Sequence, residues 1–212
     1  MSRTTRRRTI RAVAPLAGLL AAGLLVWQGS YAAFSATTTN QADAWATGNL
    51  VLGNNGGVGT SYTGSTQALF SESSLNSSDA GQKCITVDSS GSLAGTLKLY
   101  SGTVTDTNVA HPASNLSSKL NLVVTAAALP NGASVDASCA AGTGTIAFPG
   151  SSTAIYSGSL AGLGTSYAGT GMGVAAGAGV RVAYKIAWSF APTIDDTYQS
   201  ASTTADLVWE IQ

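Results

Sequence analysis

Between Val180 and Phe190, every second residue is large and apolar. Val180, Val182, Tyr184, Ile186, Trp188 and Phe190 alternate with Arg181, Ala183, Lys185, Ala187 and Ser189. Successive side chains of an extended chain point to opposite faces, so this period of two places one face in a core and the other toward water. The last segment repeats the pattern, with Ala205, Leu207, Trp209 and Ile211 set against Thr204, Asp206, Val208, Glu210 and Gln212. Pro192 and the polar run from Thr193 to Ser202 supply the turn between these two strands.

Further strands are expected at Asn49–Leu52, Lys83–Asp88, Gly95–Thr105, Lys119–Ala126, Thr143–Phe148 and Thr153–Ser157. Gly, Ala, Ser and Thr dominate the chain after residue 33, and long helix formers are few. That composition is poor for helices and suits short strands joined by many turns. The expectation is an all-β fold, a jelly-roll-like β-sandwich, with residues 53–212 as a single domain. Gly53–Thr66 and Gly162–Gly179 read as loops. The second contains Gly171-Met172-Gly173-Val174-Ala175-Ala176, a superficial match to a dinucleotide fingerprint; a strand follows it where that motif needs a helix. The hexapeptide Ser-Gly-Ser-Leu-Ala-Gly occurs at Ser90–Gly95 and Ser157–Gly162, and in so biased a composition reads as a recurrent turn sequence.

The front of the chain has the order of a secretory signal. Arg3, Arg6, Arg7, Arg8 and Arg11 precede an apolar stretch from Ala12 to Val26, and small residues lead to a cleavage point near Ala33. The apolar stretch is shorter than the roughly 20 residues a membrane span needs. An uncleaved anchor from Leu16 to Ala33 is weakened by Gln28, Gly29 and Ser30, and Arg7-Arg8-Thr9-Ile10 matches the twin-arginine export signal loosely. Residues 1–33 are therefore expected to be a signal peptide removed by signal peptidase, leaving no stable membrane span and a secreted, extracellular or cell-surface product. A chain beginning at Phe34 keeps five cations (Lys83, Lys98, Lys119, Arg181, Lys185) and ten carboxylates, a net charge of −5. Such a chain has no electrostatic footprint for nucleic acid or anionic lipid.

Cys84 and Cys139 are the two cysteines, and an even count in an exported chain favours a disulfide over two buried thiols. Closing a loop of about 56 residues would contribute roughly 4 kcal/mol in the chain-entropy model. Reactive chemistry is sparse. His111 is the sole histidine, so neither a His-Glu-x-x-His zinc site nor a pair of imidazole ligands exists, and no Gly-x-Ser-x-Gly elbow accompanies it. Asp195 and Asp196 are adjacent; they would ligate calcium or, as turn formers, bond the backbone two residues on. No catalytic, metal or cofactor site is expected. Trp45, Trp188 and Trp209 would serve as a sugar-binding platform or as core, and strand phase favours core for the last two.

Both ends of the mature chain resemble the TasA/camelysin family of exported matrix proteins with SipW-type signal peptides. At the N-terminus the resemblance rests on Tyr31-Ala32-Ala33-Phe34-Ser35, then Asn40, Trp45, Gly48 and Asn49-Leu50-Val51-Leu52. At the C-terminus it rests on Tyr184-Lys185-Ile186-Ala187-Trp188, on Asp196-Thr197-Tyr198-Gln199, and on a final strand closing at Gln212. The family pattern has Asp at position 36, Phe at 45, Asn at 196 and Gly at 200, where this chain has Ala36, Trp45, Asp196 and Ser200. The resemblance implies a jelly-roll subunit of a biofilm or surface fibre, built by self-association. Residues 34–52, with apolar Phe34, Trp45, Leu50 and Leu52, would either donate a strand to the next subunit or form the first strand of their own domain. The alternatives are a secreted metallopeptidase of camelysin type and a small adhesin or carbohydrate-binding module.

Overall fold

Among the described residues nine strands emerge from these patterns, and the two with the clearest alternation occupy interior positions in two different sheets. The computed structural model describes residues 36–37, 50, 52–57, 62, 68–150 and 152–212. The strands are β1 (Ala36–Thr37), β2 (Leu52–Asn54), β3 (Ala80–Ser89), β4 (Gly95–Thr107), β5 (Leu120–Ala128), β6 (Thr153–Ser159), β7 (Gly173–Ala176), β8 (Val180–Phe190) and β9 (Ser202–Ile211). They form a four-stranded sheet in the order β1-β9-β4-β7 and a five-stranded sheet in the order β2-β3-β8-β5-β6. Every pairing is antiparallel.

The pairings nest. β1 pairs with β9, β3 with β8, β4 with β7 and β5 with β6, as in one long hairpin folded at its middle. The additional pairs β4·β9 and β5·β8 roll that hairpin into two facing sheets, which is the jelly-roll form of the β-sandwich. β2 is an extra strand on the outer edge of β3.

The core lies where the apolar phases of the two sheets meet. Val182, Tyr184, Ile186 and Trp188 of β8 are buried with Leu97 and Leu99 of β4, Leu122 and Val124 of β5, and Trp209 and Ile211 of β9. Each such aliphatic side chain removed from water contributes about 1.5–3 kcal/mol. Tyr184 meets Trp209 edge to face at a centroid distance of 5.8 Å, tying the inner strand of one sheet to the inner strand of the other. Trp188 and Trp209 are thus core residues, as their phase in the strands implied.

A second, smaller cluster sits on the outer face of the five-stranded sheet. Residues 129–150 cross that face as a strap and bury Cys84, Leu129, Val135 and Ala183 beneath it, with Phe148 packed alongside. This explains why Ala183, on the water-facing phase of β8, is fully buried.

Three expectations need correction. Thr143–Phe148 is not a strand. Its backbone is engaged within the strap, by a reciprocal Gly142–Thr145 pair and by bonds from Ile146 N–H to the Ser134 carbonyl and from Phe148 N–H to the Cys139 carbonyl. Gly162–Gly179 is not loop throughout, because β7 pairs with Gly95–Lys98; its glycines and alanines conceal the strand in the sequence. Gly53–Thr66 does not begin as a loop, since β2 runs through Asn54 and Asn55 is buried.

Candidate functional site

The strap is fixed at several points. Cys84 and Cys139 form a disulfide with a Cα separation of 5.1 Å, as expected from their number. Asn55 works alongside it: its Nδ2 donates to the Val135 carbonyl at 2.7 Å, and its Oδ1 accepts from Thr86 N–H at 2.9 Å and Gly57 N–H at 3.1 Å. The Thr86 hydroxyl accepts from Val135 N–H at 2.9 Å. Gly57 has φ of 74°, and an added Cβ would lie 3.1 Å from both the Cys84 carbonyl and Ala137 Cβ; its own carbonyl accepts from Ala137 N–H at 2.7 Å. Farther along, Arg181 pairs with Asp88 at 3.0 Å, donates to the Ala133 carbonyl and stacks over the Tyr62 ring at 4.3 Å. Asn55 and Thr86 were invisible to motif reading, because a polar side chain in a Gly-Asn run looks like a turn residue.

Among the described residues, the partly paired strand β9 is the feature best suited to recognition. β9 is hydrogen-bonded to β4 along almost its whole length. On its other edge β1 covers only two positions, Ala36 against Ile211 and Thr37 against Glu210. From Ser202 to Val208 that second edge has no strand beside it among the described residues. Its inward side chains Ala205 and Leu207 are partly buried against the core, while Ser202, Thr204 and Asp206 are exposed.

The closed end of this edge is locked by polar contacts. Glu210, 7% exposed, accepts from the Tyr100 hydroxyl at 2.8 Å and from Gln212 Nε2 at 2.6 Å. Burial, then the hydrogen bond to Glu210 and its negative charge, pushes the Tyr100 phenol up to about 12. The backbone of Gln212 exchanges hydrogen bonds with Thr96, so the final residue completes the β4·β9 ladder. Of the expected strand-donor positions, Leu50 and Leu52 pack partly buried against the core, whereas Phe34 and Trp45 lie outside the described residues, as does the expected signal peptide at 1–33.

The remaining C-terminal motif forms the turn into β9. Asp195 caps a single 3-10 turn, Asp196–Tyr198, accepting at Oδ1 from the N–H and hydroxyl of Thr197, two residues on. These bonds hold the Asp195 carboxyl below the usual carboxylate range. Gln199 donates to Asp196 at 3.2 Å, and Ser200 has φ of 61°, in the left-handed region. The aspartates therefore act as turn formers. His111 is exposed, and its backbone N–H donates to Asn108 Oδ1. Among the described residues no group of three or more His, Cys, Asp or Glu is arranged to hold a metal ion, and no helix is long and apolar enough to cross a membrane. The glycine fragment at Gly171–Ala176 is largely strand β7 and forms no helix N-terminus for a phosphate. A shallow depression of about 390 Å³ lies on the outer face of the five-stranded sheet, lined by Gln82, Asn121, Val123, Ala187 and Ser189. No protein-family model and no curated protein matches the chain.

Proposed function

We propose that this chain is an exported structural subunit of an extracellular matrix or cell surface, assembling into fibres by strand addition rather than performing catalysis. The observation that carries this reading is the β9 edge, paired with β1 at two residues and with no second strand beside it from Ser202 to Val208 among the described residues. Such an edge offers backbone donors and acceptors for affinity and alternate side-chain positions for register. A segment from one copy that occupies the edge of the next makes a head-to-tail contact, which propagates rather than closes.

Supporting features come from elsewhere in the chain. The arginine-led apolar leader supports export, and the disulfide suits an oxidising compartment. The resemblance to the TasA/camelysin family also gains support at Ser200, which stands where that family has glycine and adopts the backbone conformation glycine prefers. In this reading Phe34–Asp43, of which Ala36 and Thr37 pair with β9 of their own copy in the structure, moves onto β9 of the next copy as the donor. Deleting Phe34–Asp43 should abolish fibres in electron micrographs of the secreted protein while circular dichroism still shows a folded β protein. Fibres that persist in the deletion variant refute the donor role.

A further inference from the structure

Asparagine followed by glycine is the dipeptide most prone to lose its side-chain amide, because no Cβ hinders the glycine nitrogen as it approaches the asparagine Cγ. The chain has two such pairs, Asn55-Gly56 and Asn131-Gly132, and the fold treats them oppositely. Asn131 is exposed at the start of the strap, in a turn closed by Ala133 N–H on the Pro130 carbonyl. Among the described residues nothing lies within 4 Å of where a Gly132 Cβ would be. Asn55 is 5% exposed, and its amide is held at both ends, by Val135 on one side and by Thr86 and Gly57 on the other. The nucleophile is held too, since Gly56 N–H donates to Asn54 Oδ1 at 3.0 Å. Ring closure needs the Gly56 nitrogen within about 3–3.5 Å of Asn55 Cγ and aligned with it. An amide fixed on three partners does not turn to meet it, and the partner at Val135 belongs to the strap.

We infer that Asn55 is a latent deamidation site, closed while the strap is seated and opened when the strap lifts, so that a transient opening becomes a permanent acid. The Gly56 nitrogen bonds to Asn55 Cγ, the Cγ–Nδ2 bond breaks, and the Gly56 amide proton leaves with the amino group as ammonia. Water then opens the cyclic imide. Addition at Cγ gives aspartate; addition at the main-chain carbonyl gives isoaspartate, whose backbone is longer by a methylene. Either product lacks the Nδ2 that donates to Val135 and leaves an acid facing that carbonyl, so the strap does not reseat as before. The disulfide and the Arg181 contact to Ala133 remain as tethers. The modification therefore acts on the clamp alone, and it stands independently of the fibre reading.

Peptide mapping by mass spectrometry, after incubating the purified protein in mildly alkaline buffer with and without urea, reads both asparagines at once. In urea both should convert at similar rates. In native buffer Asn131 should convert while Asn55 lags by roughly tenfold or more, because its reaction waits on local opening. Thr86→Ala removes the hydroxyl that accepts from Val135 N–H and keeps the Thr86 backbone bond to Asn55. It should speed conversion of Asn55 several-fold in native buffer and leave Asn131 unchanged. Cys84→Ala with Cys139→Ala loosens the strap by a second route should circular dichroism show that Thr86→Ala fails to fold. Asn55 keeping pace with Asn131 in the native wild type overturns the inference. So does an Asn55 that stays an amide in the loosened variants while hydrogen exchange reports the strap open.

Discussion

Replacing Asn55 with alanine removes three hydrogen bonds at once, to Val135, Thr86 and Gly57. Thr86 and Val135 are 0% exposed, so water cannot take over from the lost amide without opening the strap. Each net hydrogen bond contributes about 1 kcal/mol, and each buried group left unpaired costs about 1–3 kcal/mol. Asn55→Ala should therefore destabilise the fold by about 3–5 kcal/mol. For a domain of this size that lowers Tm by roughly 10 °C. Urea denaturation followed by tryptophan fluorescence gives the free energy, and hydrogen exchange at the Thr86 amide shows whether the strap has loosened locally. Asn55→Asp separates the contributions: it keeps the acceptor but sets a carboxylate against the Val135 carbonyl, so it should be at least as damaging at neutral pH and milder in acid. A loss below about 1 kcal/mol for Asn55→Ala, with Thr86 still protected from exchange, refutes the view that this side chain fastens the strap.

Four further outcomes are expected. Cys84→Ala with Cys139→Ala should cost about 4 kcal/mol at neutral pH by freeing the unfolded chain, measured by urea denaturation against the oxidised wild type. Ser200→Gly should stabilise by up to about 1 kcal/mol, since relief of a left-handed residue outweighs the added freedom of the unfolded glycine; a loss of stability contradicts this. Gly81→Ala should destabilise by about 1–3 kcal/mol and shift the tryptophan emission, because a Cβ there would sit 2.8 Å from Trp188 Nε1. Asp136 and Asp195 are both held below the ordinary carboxylate value, mainly by hydrogen bonds from Ser138 and Thr197. A depressed folded-state pKa adds stability above the unfolded value that is lost as pH falls through the folded one. Asp136→Asn should therefore flatten the acid limb of a stability–pH profile and leave its alkaline side unchanged.

How far the sequence reveals this fold depends on which residues do the packing. Val180–Phe190 and Ala205–Ile211 could be read directly, because large apolar side chains at every second position leave one solution for the backbone. β3, β4, β5 and β6 were found with ends displaced by a few residues, since Gly, Ser and Thr at their margins carry no phase. β7 was missed because Gly173–Ala176 has almost no side-chain signal; its pairing with Gly95–Lys98 is a tertiary fact. Thr143–Phe148 has the residues of a strand, but its backbone bonds to other residues of the strap instead of to a sheet edge. The disulfide followed from counting cysteines, and Asp195 from turn chemistry. Asn55, Glu210 and the partial pairing of β9 with β1 needed coordinates, because their importance comes from what lies across from them and not from their own neighbours in sequence.

The pairing of the earliest strand with the latest has a kinetic consequence. β9 is the bridge between β1 and β4, and β8 joins β3 to β5, so neither layer can assemble around its middle before the C-terminal thirty residues or so are available. With most contacts spanning long stretches of chain, folding should be slow. A polypeptide built this way keeps both layers open until β8 and β9 slot into them.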